Sequence, residues 1–575
     1  MQTTQNQPQR NLHPIIRNLF SKRGLDLTEQ EEFLSWDLKK LPELTDLRDI
    51  TKAALRIKKS MSYGKKIGVY GDYDVDGTTS CALFWQFFKS LNYENVALIQ
   101  PSRFVEGYGL HKSSIDDAIS QDIDLLITVD CGITNTEAAL YSKEKGLDLI
   151  ITDHHTDACE EMPEAYAIVN PNRRDEPENS PLKTLAGVGV AFCVCLEVKN
   201  LFESEGKTCP SLYPLLEYVA IGTICDLAKL TPVNLKLVRH GLKKVKDSSF
   251  LGVKAFFTPE ERSRPIIPSE KLSFQVGPLI NSKGRLDHPE KALKLLISDN
   301  SEEAFSYYAH LNDCNNERKK ITSVVFEEAK DQVISDCRDE DLIINIVYKD
   351  DWHEGVIGIV ASRLVETFKV PAIVFSNAEE EGVIKASARS AGPLNLFDCL
   401  NQNSDLFIKF GGHKAAAGLS MKKENLPLLK ENLKNLLREL PLIERTVPED
   451  YDLEITAHEI NSELLSHLDL LEPFGMGNEK PLFKVRGLTL QSFDLLKEVH
   501  VRWNFLSSQN GPNGSPLRLK GISFNYVGKW GVLSPDRIYD LQFAKDSDLS
   551  VYCHLSLNRF NGRESIQLMV EKITL

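Results

Sequence analysis

At 575 residues the chain exceeds what one hydrophobic core sustains, so two to four domains are expected. Its 42% hydrophobic and 26% charged content is that of an ordinary soluble globular protein, and no apolar run approaches the ~20 residues of a membrane span. The formal net charge of -14 excludes indiscriminate nucleic-acid binding over the whole surface but leaves room for a local basic groove.

The N-terminal stretch Met1–Arg10 is polar and lacks the apolar segment of a signal peptide, so the cytoplasm is the expected compartment. The 11 cysteines are scattered, with no Cys-x-x-Cys pair, and read as buried free thiols. Residues 1–60 read as helical and polar, ending in the amphipathic stretch Ile50–Ile57. Across 61–286 short apolar runs alternate with helical segments: Ile67–Tyr70, Val96–Ile99, Leu125–Val129 and Leu149–Ile151. Continuous apolar runs of this kind predict a buried, mostly parallel sheet and an α/β domain. Residues 287–335 lack glycine, and Ile321, Val325 and Ala329 recur at helical spacing, which predicts a long connecting helical region. A second α/β unit follows over 336–446, with strands at Leu342–Tyr348, Ala372–Phe375 and Val383–Ala386. Over 447–575 turn residues punctuate β-rich runs, and Asn561-Gly562 between two of them predicts a hairpin. A small antiparallel barrel fits this region, although pattern alone does not separate barrel from sandwich.

The chemistry is concentrated in the first α/β region. Gly71-Asp72-Tyr73-Asp74-Val75-Asp76-Gly77 places three aspartates at alternate positions between an apolar strand and an apolar helix. Crowded carboxylates repel and generally need a cation. An EF-hand loop is excluded because the twelfth position from Asp72 is Leu83, and a solvated Asp-rich turn remains open on this stretch alone. Leu125–Val129 then runs into Asp130, Leu149–Thr152 into Asp153-His154-His155, and a fourth apolar segment, Tyr218–Cys225, into Asp226. One such aspartate is more often a helix cap. Four in one domain, one beside paired histidines, point to a ligand site at the carboxyl ends of a sheet. Mixed Asp and His donors suit a first-row divalent metal such as Mn²⁺, and two such ions can drive phosphodiester hydrolysis.

In order and context these four segments resemble the motifs of the DHH phosphoesterase superfamily. The resemblance implies that Asp74 and Asp76 each face a metal, that Asp130 bridges two ions, and that His154 and Asp226 complete one site, with Asp72 at the other. It also implies that His155 reaches the scissile phosphate and that Asp153 orients it. Mn²⁺ or Mg²⁺, as two ions, is the implied cofactor. Further segments resemble the RecJ exonucleases within that superfamily: Arg103–Gly109, Leu185–Ala191, Asn281–Arg285, Trp352–Arg363, Ser387–Ser390, Gly411–Gly418, Leu471–Asn478 and Phe560–Ser565. The implied architecture is a DHH-type parallel-sheet domain, a helical connector, a second α/β (DHH-associated) nucleic-acid-binding domain and a C-terminal OB-like barrel. The implied activity is 5′→3′ hydrolysis of single-stranded DNA to mononucleotides, in DNA repair and recombination. Arg103, Arg285, His353, Ser387, Arg389, His413 and Lys414 are then the candidate substrate-binding residues. In the barrel, Trp503, Phe524, Tyr526, Arg502 and Arg518 are candidates for stacking and backbone contact, although aromatics in a small barrel are more often core.

The expected partner is single-stranded DNA, with a single-stranded-DNA-binding protein and a helicase as candidate protein partners, no membrane, and a monomeric chain. A phosphodiesterase acting on cyclic dinucleotides or very short oligonucleotides is the nearest rival, disfavoured by the extra β domain. A catalytically dead scaffold is the rival from another class, disfavoured because every motif carboxylate and histidine is present. Because the candidate ligands all precede residue 230, loss of the chain beyond about 447 is expected to weaken strand binding more than chemistry.

Overall fold

The structure, a computed structural model, describes residues 12–101, 109–286, 290–336, 342–446, 450–497, 500–510, 514–524, 549–560 and 563–574, with the backbone alone at 283–286, 559–560 and 563–564. The first sheet is built from β1 (Ile67–Gly71), β2 (Val96–Ile99), β3 (Leu125–Val129), β4 (Asp148–Thr152) and β5 (Ala167–Val169), in the order β2-β1-β3-β4-β5. Every pairing in it is parallel, as its unbroken apolar strands require. One side carries α1 (Val75–Ser90), α2 (Gly187–Ser204) and α3 (Leu216–Cys225). The other side packs Tyr70, Leu126, Leu149 and Ile151 against the helices Lys112–Ser120 and Thr136–Glu144. The fourth apolar segment of the sequence, Tyr218–Cys225, is therefore helix rather than strand; its run of apolar residues is buried on all sides, and periodicity does not tell such a helix from a buried strand.

A helix of 36 residues, α4 (Ser301–Asp336), follows the predicted connector. The second sheet contains β6 (Asn345–Tyr348), β7 (Ala372–Asn377), β8 (Val383–Arg389), β9 (Phe407–His413) and β10 (Ala416–Lys422), in the order β6-β7-β8-β10-β9. Its two faces differ. One buries Ile373, Phe375, Ile384, Ala386, Leu419 and Met421 against α6 (Leu426–Arg438) and its neighbours. The other is covered on the β6–β7 side by α4 and by α5 (Glu354–Phe368), through Val325, Val347, Val356, Val360 and Val374.

The C-terminal strands are β11 (Leu453–Thr456), β12 (Phe483–Leu496), β13 (His500–Asn510), β14 (Pro516–Ser523), β15 (Leu549–Phe560) and β16 (Arg563–Thr574). β12 pairs with both β13 and β15, and β14 with β16, so β12-β13-β14-β16-β15 closes into a five-stranded barrel, with β11 added beside β12. The Asn561-Gly562 turn lies outside the described residues, but β15 and β16 on either side of it pair antiparallel, as a hairpin demands.

The chain forms two compact units that do not follow its order. One comprises 25–316 together with 470–480; the other comprises 1–24, 317–469 and 481–575. Among the described residues no helix is long and apolar enough to cross a membrane.

Candidate active site

The carboxyl ends of β1, β3 and β4 deliver Asp72, Asp130 and Asp153 side by side, and the loops beyond them bring in Asp74, Asp76, His154 and His155. Asp226 arrives from the end of α3. Donor atoms of Asp72, Asp74 and Asp130 lie within 4.8 Å of one another. So do those of Asp76, His154 and Asp226, and those of Asp130, His154 and His155. Buried His154 Nε2 stands 3.1 Å from Asp130 and 3.7 Å from both Asp76 and Asp226, with no hydrogen bond to any of them.

The surrounding backbone over-determines this arrangement. Asp74 caps α1, its Oδ1 accepting from the Gly77 amide at 3.0 Å, so the cap reading and the site reading both hold for it. Asp76, fully buried, accepts from the first amides of α2, Gly187 N at 2.5 Å and Val188 N at 2.9 Å. Gly187 must be glycine there: a Cβ would meet Asp130 Cβ at 2.8 Å and Asp76 Oδ2 at 2.9 Å. Gly222 on α3 is under the same constraint, because a Cβ would lie 2.7 Å from Asp76 Oδ1 and 2.5 Å from Thr79 Oγ1. Asp130 itself adopts a left-handed backbone with φ of 60°, a conformation that aspartate tolerates better than most side chains. Asp153 accepts from the amides of Ile133, His154 and His155 and pairs with His155 Nδ1 at 2.8 Å. Asn170 and Asn172 hold the His155 and His154 carbonyls at 2.9 and 2.6 Å. Sequence reading singled out the segment around Gly187 without assigning it this role, and missed Gly222, Asn170 and Asn172 altogether; the Asn170-Pro171-Asn172 turn was the available signal.

Electrostatics explain what such a cluster requires. Unit charges about 4 Å apart repel by roughly 4 kcal/mol at the effective dielectric of a protein surface, and more in the interior. Burial first, and Asp74 next, push the Asp76 carboxyl up to about 7. Burial, then Asp76 and Asp74, raise Asp226 to about 9, and the same causes hold Asp130 well above the carboxylate range. His154, desolvated and beside His155, is depressed to about 4 and is therefore a neutral donor at physiological pH. Burial disfavours charge on His155 too, but the bond to Asp153 and the surrounding carboxylates outweigh it and lift His155 to about 9. Neutral imidazole and crowded, buried carboxylates are the donor set of divalent cations, so the residues present fit two such ions.

The second sheet gathers the other candidates. Its register places Arg389 of β8 beside Ala416 of β10 and, next to it, His413 of β9; one row along come Ser387, Gly418 and Gly411. Beyond α5 this face is uncovered: Gly411, His413 and Gly418 are exposed. Arg389 Nη1 donates to Ser387 Oγ at 2.9 Å and to the Ala388 carbonyl at 2.8 Å. Gly358 of α5 makes room for that guanidinium, since a Cβ there would meet Arg389 Nη2 and Ser387 Oγ at 3.0 Å each. Lys414 is exposed in the turn after β9. His353 is exposed and caps α5, its Nδ1 accepting from Gly355 N at 3.0 Å. Arg103 and Tyr526 lie outside the described residues, and of Arg285 only the helical backbone is described. In the barrel Trp503 is fully buried and bonded through Nε1 to Ser523 Oγ at 2.9 Å, so it is core rather than a stacking platform. Arg502, Arg518 and Phe524 are exposed.

Comparison with known proteins matches residues 66–223 to the DHH family N-terminal domain, 339–439 to the DHHA1 domain and 451–572 to the RecJ OB domain. A relative from Escherichia coli, single-stranded-DNA-specific exonuclease RecJ, is 32% identical over 98% of this chain and 96% of its own length. The chain belongs to the RecJ family. The RecJ of Bacillus subtilis is 33% identical over 98% of this chain and 68% of its own length. The crystal structure of RecJ from Thermus thermophilus in complex with Mn²⁺ superposes with a TM-score of 0.75 at 26% identity, over 98% of this chain and 78% of that one. This RecJ family member thus has the parallel-sheet domain, helical connector, second α/β domain and C-terminal barrel expected from its motifs.

Proposed function

We propose that the protein is a metal-dependent exonuclease that degrades single-stranded DNA from the 5′ end to 5′-mononucleotides, in DNA repair and recombination. The observation that carries this reading is the buried Asp/His cluster at the carboxyl edge of the first sheet, with its three overlapping donor groups. In support, the relatives are named single-stranded-DNA-specific exonucleases, and the Thermus protein has been crystallised with Mn²⁺ and with Mg²⁺. Asp72, Asp74 and Asp130 would hold one cation, and Asp76, His154 and Asp226 the other, with Asp130 reaching both. Bound there, the cations supply an activated water and neutralise charge on the phosphodiester. His155, 39% exposed at its side chain and favoured in its protonated form by Asp153, would donate a hydrogen bond to a phosphate oxygen, with Asp153 fixing its ring. Arg389 and Ser387 offer a guanidinium and a hydroxyl to a terminal 5′-phosphate, with His413 and Lys414 contacting the backbone. Arg103, Arg285 and His353 complete the proposed substrate contacts.

The test uses single- and double-stranded DNA labelled at either end, with Mn²⁺, Mg²⁺ or a chelator. Labelled mononucleotide should appear at once from 5′-labelled single strands, with either cation and not with chelator. Immediate release from the 3′ end instead, or turnover confined to dinucleotides, would overturn the proposal.

A further inference from the structure

Residues 470–480 lie in sequence between the second sheet and the barrel, yet they pack as part of the unit that holds the metal-ligand candidates. The segment includes Leu471–Asn478, one of the RecJ-like stretches, for which sequence reading supplied no role. Buried Asn478 ties it into a compact loop: Nδ2 donates to the carbonyls of Leu471 and Pro473 at 2.8 Å each, and its backbone pairs reciprocally with that of Gly475 at 3.0 and 3.1 Å. Bonds from outside fasten the loop. Arg239 Nε donates to Glu472 O at 2.8 Å, Ser269 Oγ to Phe474 O at 2.7 Å, and Leu230 N to Met476 O at 2.8 Å.

The loop meets the first sheet's unit at one informative place. Gly475 lies against Leu230 and Ile224: a Cβ there would stand 2.9 Å from Leu230 Cδ1 and 3.8 Å from Ile224 Cδ1. These two residues bracket Asp226. Between them α3 ends, Leu227 turns into a left-handed backbone with φ of 60°, and its side chain is 64% exposed. The helix closes on itself there, Ala228 N donating to Thr223 O at 3.2 Å around left-handed Leu227, so the segment carrying Asp226 is fixed at its helix end and next at buried Leu230.

We infer that loop 471–478 is a positioning strap for Asp226, pressing Ile224 and Leu230 so that the carboxylate stays with Asp76 and His154. This rests on the metal reading proposed above. Asp226 shares a donor group with Asp76 and His154 but not with Asp72 and Asp74, so loosening the strap should weaken one cation and spare the other.

The full chain and its Gly475→Ala variant are titrated with Mn²⁺, and free ion is counted by electron paramagnetic resonance. Gly475 is not among the residues with positive φ, so alanine is tolerated by the backbone and acts through its contact with Leu230. The parent should bind two ions. Gly475→Ala should weaken one by about 10–100-fold, the range for residues that orient metal ligands, and leave the other within about threefold. If Gly475→Ala does not fold, Ser269→Ala, which removes only the hydroxyl on the Phe474 carbonyl, carries the same comparison. A parent that binds no Mn²⁺ sinks the metal reading itself. A parent with two ions and a variant that keeps both, or weakens both equally, overturns the strap.

Discussion

The carboxyl edge of the first sheet and the open face of the second both gather polar groups at strand positions, but they hold them in opposite ways. At the first, the innermost carboxylates are held by surrounding backbone: Asp76 on two α2 amides, Asp153 on three amides, Gly187 and Gly222 bare to let Asp76 and Asp130 approach. At the second, half-buried Arg389 and Ser387 and exposed His413 stand on strands at a solvent-facing surface, aligned by pleat and register and by the bond from Arg389 to Ser387. Burial raises the electrostatic stakes and demands full compensation, whereas exposure makes each charge modest and replaceable. The first region therefore suits chemistry and the second suits grip.

The sharpest way to break this comparison is Asp130→Ala. The shared carboxylate stands between the two donor groups, so turnover should fall by about a thousandfold or more, roughly 4 kcal/mol of transition-state stabilisation, with the fold retained. Turnover within a few-fold of the parent would remove Asp130 from the site. Gly187→Ala, which touches no substrate, should still weaken Mn²⁺ binding by about 10–100-fold by displacing Asp76 and Asp130, as measured by metal titration. On the open face, Arg389→Ala should lose about 10–100-fold in kcat/KM on 5′-phosphorylated strands, the scale of charged hydrogen bonds. On 5′-hydroxyl strands the loss should be far smaller; equal losses would assign Arg389 to general backbone binding.

The smallest effect probes stability beneath the cluster. Glu217 on α3 is fully buried with Lys244 Nζ 4.0 Å away, and desolvation raises its carboxyl to about 7. Folded protein then holds this proton more tightly than unfolded chain does, so the contribution is complete below pH ~4.5 and is lost as pH rises through about 7. Glu217→Gln should flatten the fall in melting temperature between pH 5 and 9, an effect of at most about 3 kcal/mol. An unchanged slope would show that Glu217 is ionised in the folded protein.

Much of this was written in the chain. Short apolar runs specify parallel strands because both faces of such a sheet are buried, and the aspartates that follow three of the runs, Asp72, Asp130 and Asp153, must emerge at the carboxyl edge. Periodicity likewise identified α4, and motif resemblance identified the family. What local pattern did not carry was any fact that depends on a distant segment. The run before Asp226 is a helix, because its apolar residues meet neighbours on every side. Trp503 is core, because the barrel closes around it. His353 caps a helix through Nδ1, and Arg389 fits only because Gly358 lies above it. Most of all, residues 470–480 leave their place in the sequence to pack on the first unit, so truncation near 447 removes more than a strand-binding module. Sequence determined which residue types reach which strand ends, since that follows from spacing along one chain. Only tertiary structure decided which backbone presses each carboxylate into place, because that depends on close packing between segments distant in sequence, such as Asp76 and the Gly187 amide.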